Sequence, residues 1–408
     1  MKIMQIDSSK YGVSAGELFD TAKRDNNNKR KFLFVNKVLG KHTPVKPSKI
    51  IKYGSLISRL HDSGGDNSKI LVIGFAETAT ALGNIVFEDL ARERIKLGRQ
   101  EDIRFIHTTR EEIEVDGNGN KLDYIEFREE HSHAVAHRVY INEKIMAGVT
   151  EVILVDDEIT TGNTALNAIK AIYDRYNINN FSILTYLDWR NRNCIEKFYE
   201  LEEDLRITVK VKSLISGSII SESPSKGTYR EDIENSVYEK NSEYKDCVAC
   251  EACNKPIKNY IEYTGRFGIT GSDITNMDTV VDRITEYISK FKIGRTLVLG
   301  TEEFMYIPLK IAGKLDNNSL NEVMYQSTTR SPIQVDWRVI KSKNSFKSIY
   351  NKDITNYVYN IPNNYYDTII VVLEYVENIE GMRELRNILQ SRGAKIVEFI
   401  NVSGITIQ

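Results

Sequence analysis

The chain has 408 residues, enough for two or three domains at roughly 100–200 residues each. It is 41% hydrophobic and 27% charged, with 55 Lys and Arg against 57 Asp and Glu, which argues against a disordered polyelectrolyte and gives no global pull toward nucleic acid. No apolar run reaches the roughly 18–20 residues that cross a bilayer, Met1-Lys2-Ile3-Met4-Gln5-Ile6-Asp7 is no secretory signal, and four cysteines make no disulfide framework; a cytoplasmic protein with no membrane partner is expected.

The first region with a strand-then-helix rhythm starts near residue 48. Ile50, Ile51, Leu56, Ile57 and Leu60 predict a helix, and Lys69–Ile73 a buried strand. Gly74-Phe75-Ala76-Glu77-Thr78 forms the turn into a helix carrying Leu82, Ile85, Val86 and Leu90 on one face. A second strand, Ile103–His107, ends in Thr108-Thr109-Arg110, followed by a turn-rich stretch and a polar segment with His131, His133 and His137. Strand Glu151–Val155, a helix with Ala165, Ala168, Ile169 and Ile172 inward, and strand Phe181–Leu187 complete it. Residues 215–262, rich in Ser, Glu, Lys and Tyr, read as a linker or irregular cap.

The second region repeats the order. A helix with Val281, Ile284, Ile288 and Phe291 precedes strand Thr296–Leu299, after which Gly300-Thr301-Glu302-Glu303 opens the next helix. Val323–Gln326 ends in Ser327-Thr328-Thr329-Arg330. Then come strand Thr368–Leu373, a helix with Met382, Leu385 and Leu389, and strand Lys395–Ile400. Two strands that both end in Thr-Thr-Arg, within matching orders, point to an internal duplication.

The motif with chemistry in it is Val152-Ile153-Leu154-Val155-Asp156-Asp157-Glu158-Ile159-Thr160-Thr161-Gly162-Asn163-Thr164. Ligands of parallel α/β sheets bind at the carboxyl ends of strands. Adjacent carboxylates there can accept hydrogen bonds from vicinal sugar hydroxyls, while hydroxyls, a glycine and backbone N–H groups at a helix start cradle a phosphate. The pair describes a ribose 5-phosphate site. An N-capped helix after a strand would explain one threonine but not the acidic pair, and no Gly-Lys-Ser/Thr makes a Walker loop.

This segment resembles the phosphoribosyl pyrophosphate (PRPP) signature of the type I phosphoribosyltransferases. Phe32–Val45, the Glu130-His131-Ser132-His133 segment and Thr329-Arg330-Ser331-Pro332 together extend the resemblance, to the bacterial phosphoribosyltransferases with a C-terminal TRSP domain found in tellurium-resistance-type stress operons. The resemblance implies an α/β fold: a type I phosphoribosyltransferase domain with a Rossmann-like parallel sheet at 1–215, a linker or cap at 216–262, and a second, degenerate phosphoribosyltransferase-like domain at 263–408. It implies transfer of 5-phosphoribosyl from PRPP to a small-molecule acceptor, with Mg²⁺ and release of pyrophosphate, toward a nucleoside-like metabolite. Asp156 and Asp157 would hold the ribose hydroxyls, in part through the metal. Thr160, Thr161, Gly162, Asn163 and Thr164 would hold the 5′-phosphate, and Ala76, Glu77 and Thr78 would line the pyrophosphate. Arg110, His131 and His133 would offset leaving-group charge, and Glu158 is a candidate base. Read from spacing alone, His133 and His137 at i,i+4 could instead be metal ligands on a helix face, or members of a solvated loop. Lys37, Lys41 and His42 could touch acceptor or phosphate, or serve packing.

In the second half Leu373-Glu374-Tyr375 stands where the acidic pair should, and Val376–Gly381 replaces the phosphate loop, so PRPP binding is not expected there. Thr264–Gly268 and Thr328–Ser331 could hold another anion. This half is expected to act as a built-in dimer partner or as a structural domain; a homodimer is the alternative. Cys247, Cys250 and Cys253 could supply three thiolates to a structural zinc, with Cys194 or an outside group as the fourth ligand, though free thiols are the default. Two other readings are a PRPP-binding regulator without transfer activity and a ribose-phosphate pyrophosphokinase, which also pairs two such folds.

Overall fold

The computed structural model describes residues 3–23, 25, 32–62, 68–114, 122–127, 136–221, 260, 263–290, 294–317 and 322–404. His131, His133, Phe291, Cys247, Cys250 and Cys253, with the expectations placed on them, lie outside these residues.

The first half is built on a seven-stranded sheet whose strands are β1 (Ile3–Ser9), β2 (Ile70–Gly74), β3 (Ile103–His107), β4 (Glu151–Ile159), β5 (Asn180–Asp188), β6 (Thr208–Ser221) and β7 (Ile269–Thr270). Their spatial order is β1-β6-β5-β4-β2-β3-β7. The five inner strands run parallel, and β1 and β7 close the edges antiparallel. The unbroken apolar runs of β2 and β4 follow from burial on both faces. β6 runs past residue 215, where the sequence suggested the linker begins, because β1 pairs along its distal part.

The second half has four parallel strands, β8 (Thr296–Gly300), β9 (Val323–Ser327), β10 (Thr368–Leu373) and β11 (Ile396–Asn401), in the order β9-β8-β10-β11. This is the order of β3-β2-β4-β5. The likeness extends to single hydrogen bonds. Thr108 N–H donates to the Gly74 carbonyl (2.9 Å) and Thr328 N–H to that of Gly300 (3.0 Å). The Thr108 hydroxyl accepts from Ala76 N–H (2.8 Å) and the Thr328 hydroxyl from Glu302 N–H (3.0 Å). Farther along, the Tyr140 hydroxyl accepts from Ile113 N–H and the Tyr359 hydroxyl from Ile333 N–H.

Helices α1 (Pro47–Ser58), α2 (Thr80–Lys96), α3 (Asn163–Tyr176) and α4 (Arg192–Leu205) belong to the first half, and α5 (Asp273–Ser289), α6 (Tyr306–Asn317) and α7 (Ile379–Ser391) to the second. Proline at the first position of α1 suits a helix start, where the missing N–H has no partner to lose. α3 buries Ala165, Ala168, Ile169 and Ile172, the predicted face. Hydrophobic clusters join the halves: in one, Ile50 of α1 and Ala81 and Ile85 of α2 pack with Met277, Val281, Ile284, Leu309 and Tyr325, and in another Ala22 and Val35 pack with Ile333, Ile340 and Tyr359.

Candidate functional site

The carboxyl ends of β4, β2 and β3 lie side by side. Gly74 is in register with Val155 and with His107, and Phe75 N–H donates to the Val155 carbonyl at 3.0 Å. The turn after β2 therefore begins beside the residue that precedes Asp156. Across it, Thr108 ties the end of β3 to the same turn.

Asp156, Asp157 and Glu158 are each partly exposed at the end of β4. Asp156 accepts the Asp157 N–H at 2.9 Å. Burial and the charges of Asp157 and Glu158 push the Asp156 carboxyl well above the usual carboxylate range. Crowded carboxylates of this kind gain from a cation or from hydroxyl donors. The chain then bends through Gly162, whose φ of 78° is left-handed and whose missing Cβ would come within 2.5 Å of the Phe198 ring. Asn163 starts α3, so Thr160–Thr164 surrounds a helix N-terminus, the polar end suited to an anion. Among the described residues no group of three or more His, Cys, Asp or Glu could hold a metal unaided. The adjacent Asp156 and Asp157 fit Mg²⁺ in the manner usual for that ion, through one or two carboxylates with substrate oxygens completing the shell.

Glu77, at the turn after β2, is 4% exposed and does not face open solvent. Its carboxylate meets the Lys41 ammonium at 2.7 Å, the Arg110 guanidinium at 3.6 Å, and the N–H of Arg330 from the second half at 3.3 and 3.4 Å. Burial pushes this carboxyl up, and Lys41, Arg110 and Arg330 hold it below its ordinary value. Lys41 also donates to the Glu302 carbonyl at 2.6 Å.

The second half answers with the mirror arrangement. Glu303 accepts Arg110 N–H (2.8 Å) and the Thr109 hydroxyl (2.6 Å) and pairs with Arg266 at 3.1 Å. Against the upward push of burial, Arg266, Arg330 and Thr109 bring its carboxyl down to about 2. Arg266 pairs with Glu374 at 2.7 Å, and Arg330 with Glu302. Arg266, expected as part of an anion-holding segment, is thus engaged by two carboxylates and 2% exposed. Leu373 occupies the register position of Asp156, and Glu374 that of Asp157.

His137 lies in the short strand His137–Val139, not on a helix face. It stacks on Phe127 at 5.6 Å, its Nδ1 lies 3.3 Å from the Thr108 hydroxyl, and burial holds it neutral down to about 4. Lys37 donates to the Gly16 carbonyl, and His42 is buried with neither ring nitrogen hydrogen-bonded among the described residues. That Lys41, Glu303, Arg266 and the largely covered Arg330 meet opposite charges at the seam is what the sequence did not show. The repeated Thr-Thr-Arg and the acids after Gly300 were the available signal. A cavity of about 230 Å³ lined by His61, Glu151, Ser182, Lys210 and Lys212 lies at the opposite end of the strands.

Comparison with known proteins gives two family matches: residues 18–218 to a family described as phosphoribosyl transferase, and residues 263–389 to the TRSP domain, C-terminal to that same family. No curated protein matches. Among solved structures, adenine phosphoribosyltransferase from Rhodothermus marinus is 11% identical over 49% of this chain and 95% of its own, with a TM-score of 0.30. That from Giardia lamblia, complexed with 9-deazaadenine, is 16% identical over 50% and 95%, with a TM-score of 0.30. That from Trypanosoma brucei, in complex with AMP, pyrophosphate and ribose-5-phosphate, is 11% identical over 58% and 88%, with a TM-score of 0.33.

Proposed function

We propose, on the premise that this chain is a phosphoribosyl transferase-family domain followed by its TRSP domain, that it transfers 5-phosphoribosyl from PRPP to a small-molecule acceptor and releases pyrophosphate. The observation that carries the reading is the strand end Asp156-Asp157 running through the left-handed Gly162 into the N-terminus of α3, beside the turn that holds Glu77. Asp156 and Asp157 take the ribose hydroxyls, and with substrate oxygens they would hold Mg²⁺, whose charge screens the pyrophosphate. Backbone N–H groups and hydroxyls of Thr160, Thr161, Gly162, Asn163 and Thr164 take the 5′-phosphate. Arg110 faces the pyrophosphate side of the cleft, near Ala76, Glu77 and Thr78, and offsets the charge that develops on the leaving group. The carboxylates favour the positive charge that develops on the sugar as the bond to pyrophosphate breaks. Glu158 takes a proton where the acceptor must lose one.

The test is incubation of the full chain with Mg²⁺, PRPP and a cell metabolite extract, with mass spectrometry for a product carrying one added phosphoribosyl group. Its appearance with the unmodified chain, and its loss in the double variant D156N/D157N, supports the proposal. PRPP binding without any product overturns it in favour of a regulator, and AMP made from ATP and ribose 5-phosphate overturns it in favour of a pyrophosphokinase.

A further inference from the structure

Glu303 belongs to the second half, yet it makes three contacts with the first. One carboxylate oxygen accepts the Thr109 hydroxyl at 2.6 Å and the other accepts Arg110 N–H at 2.8 Å. Its backbone carbonyl accepts the Thr80 hydroxyl, at the first residue of α2, at 2.9 Å. The residue is 4% exposed, so these bonds are not shared with bulk solvent. Thr109 and Arg110 follow the end of β3, while Thr80 follows the turn that carries Glu77 and Thr78. One side chain and its own carbonyl thereby pin both segments assigned to pyrophosphate. The Asp156–Thr164 segment has none of these contacts with Glu303.

From this division we infer that Glu303 is a positioning residue for the pyrophosphate end of the first half's site, so that the TRSP domain contributes to PRPP binding without touching it; the inference rests on the transferase reading above. A carboxylate that receives both a backbone N–H and a hydroxyl fixes the strand end from which the Arg110 side chain departs toward Glu77, 3.6 Å away. Without it, the Thr109 hydroxyl, the Arg110 N–H and the Arg266 guanidinium lose an acceptor and the turn can relax. The effect falls on the half of the ligand that Arg110 faces and spares the half held by Asp156, Asp157 and the phosphate loop.

The experiment is calorimetric titration of the full chain with three probes: PRPP with Mg²⁺, pyrophosphate with Mg²⁺, and ribose 5-phosphate. In E303A, affinity for PRPP and pyrophosphate falls roughly tenfold, while affinity for ribose 5-phosphate stays within about twofold. E303Q, whose amide oxygen can accept only one of the two bonds, falls between. Equal loss on all three probes, or no loss on pyrophosphate and PRPP, overturns the inference. Should E303A not fold, T109V decides by the same titrations, because it deletes the hydroxyl at nearly constant volume. No PRPP binding by the unmodified chain overturns the transferase reading along with this one, whereas unmodified binding with unchanged variants overturns this one alone.

Discussion

At the end of β4 in the first half, adjacent carboxylates are crowded together; at the end of β10 in the second, the same place is paired and sealed. Burial first, and then the charges of Asp157 and Glu158, push the Asp156 carboxyl up. Glu374, the counterpart of Asp157, has a two-pronged partner in Arg266, at 2.7 and 3.4 Å, and Leu373 stands in for Asp156. A fold left to itself neutralises buried charge. Burial pushes both the Asp156 and the Glu374 carboxyls up, and the difference between the halves is that Arg266 sits against Glu374, whereas the charges that act on Asp156 are those of neighbouring carboxylates. On the transferase reading proposed above, the first arrangement serves a ligand and the second serves packing.

The largest effect expected is at the crowded acidic end. In D156N/D157N, PRPP affinity falls by at least about 100-fold, since two charge-assisted acceptors for the ribose are gone, and calorimetry reads the loss. The same variant should melt no lower than the unmodified chain. Because the folded-state carboxyl of Asp156 titrates above its unfolded value of 3.8, its contribution to stability is lost as pH rises, and at neutral pH asparagine removes a penalty. A lower melting temperature would break the contrast with the second half. The reverse holds for Glu374→Gln. It leaves buried Arg266 short of a charge partner and costs about 3–5 kcal/mol in denaturant unfolding, and a loss below about 1 kcal/mol would mean that the pair is not structural.

How much of this was legible in the sequence divides along the same line. The strand–helix order, the inward face of α3 and the segment from Asp156 to Thr164 are local: each is written in the periodicity or chemistry of a dozen neighbouring residues. The edges and the seam are not local. β1 is mostly exposed, carries no clean alternation, and finds its partner β6 some 200 residues away, so nothing nearby announces it. Charged residues read from sequence default to the surface, and Lys41, Glu303, Arg266 and Arg330 leave it only because each meets an opposite charge from the other half or from a distant segment. Arg266 is the sharpest case: a Thr-Gly-Arg-Phe-Gly stretch looks like an anion loop until the two carboxylates that occupy it are known.

A smaller effect tests the bend between the acids and the helix. Gly162 sits at φ 78° with the Phe198 ring behind it, whereas the second half enters α7 through Asn378, with an ordinary φ of −117°. Gly162→Ala should therefore lower stability by about 1–2 kcal/mol from the left-handed backbone alone, and more if Phe198 cannot yield. Ribose 5-phosphate affinity should drop with it, read by the same calorimetry. An alanine variant that melts and binds normally would show that the bend is not what shapes the loop.

The smallest effect is in acid, and it too distinguishes the halves, because all six histidines lie in the first half, at or before residue 137. Burial, reinforced by nearby cations, lowers His42, His107 and His137 to about 4 from an ordinary 6.5. The unfolded chain takes up these protons near pH 6.5 and the folded chain only near 4, so the stability each neutral ring contributes is present above that window and declines as pH falls through it. Glu303 behaves differently: its carboxyl, held down to about 2, keeps its contribution until pH falls below its ordinary value of 4.5. Thermal melts should therefore weaken first between pH 6.5 and 4, through histidines of the first half that lie against the second, before the Glu303 contacts loosen. His42→Phe is the variant that reads this, because neither ring nitrogen of His42 is hydrogen-bonded among the described residues and the ring lies 5.9 Å from that of Tyr359. It should leave the neutral-pH melt nearly unchanged and flatten the decline between pH 6.5 and 4 by at most about 1.4 kcal/mol per pH unit, one proton's worth. An unchanged slope would mean that His42 does not titrate in that window, and that the acid response belongs to His107 and His137 beside Thr108.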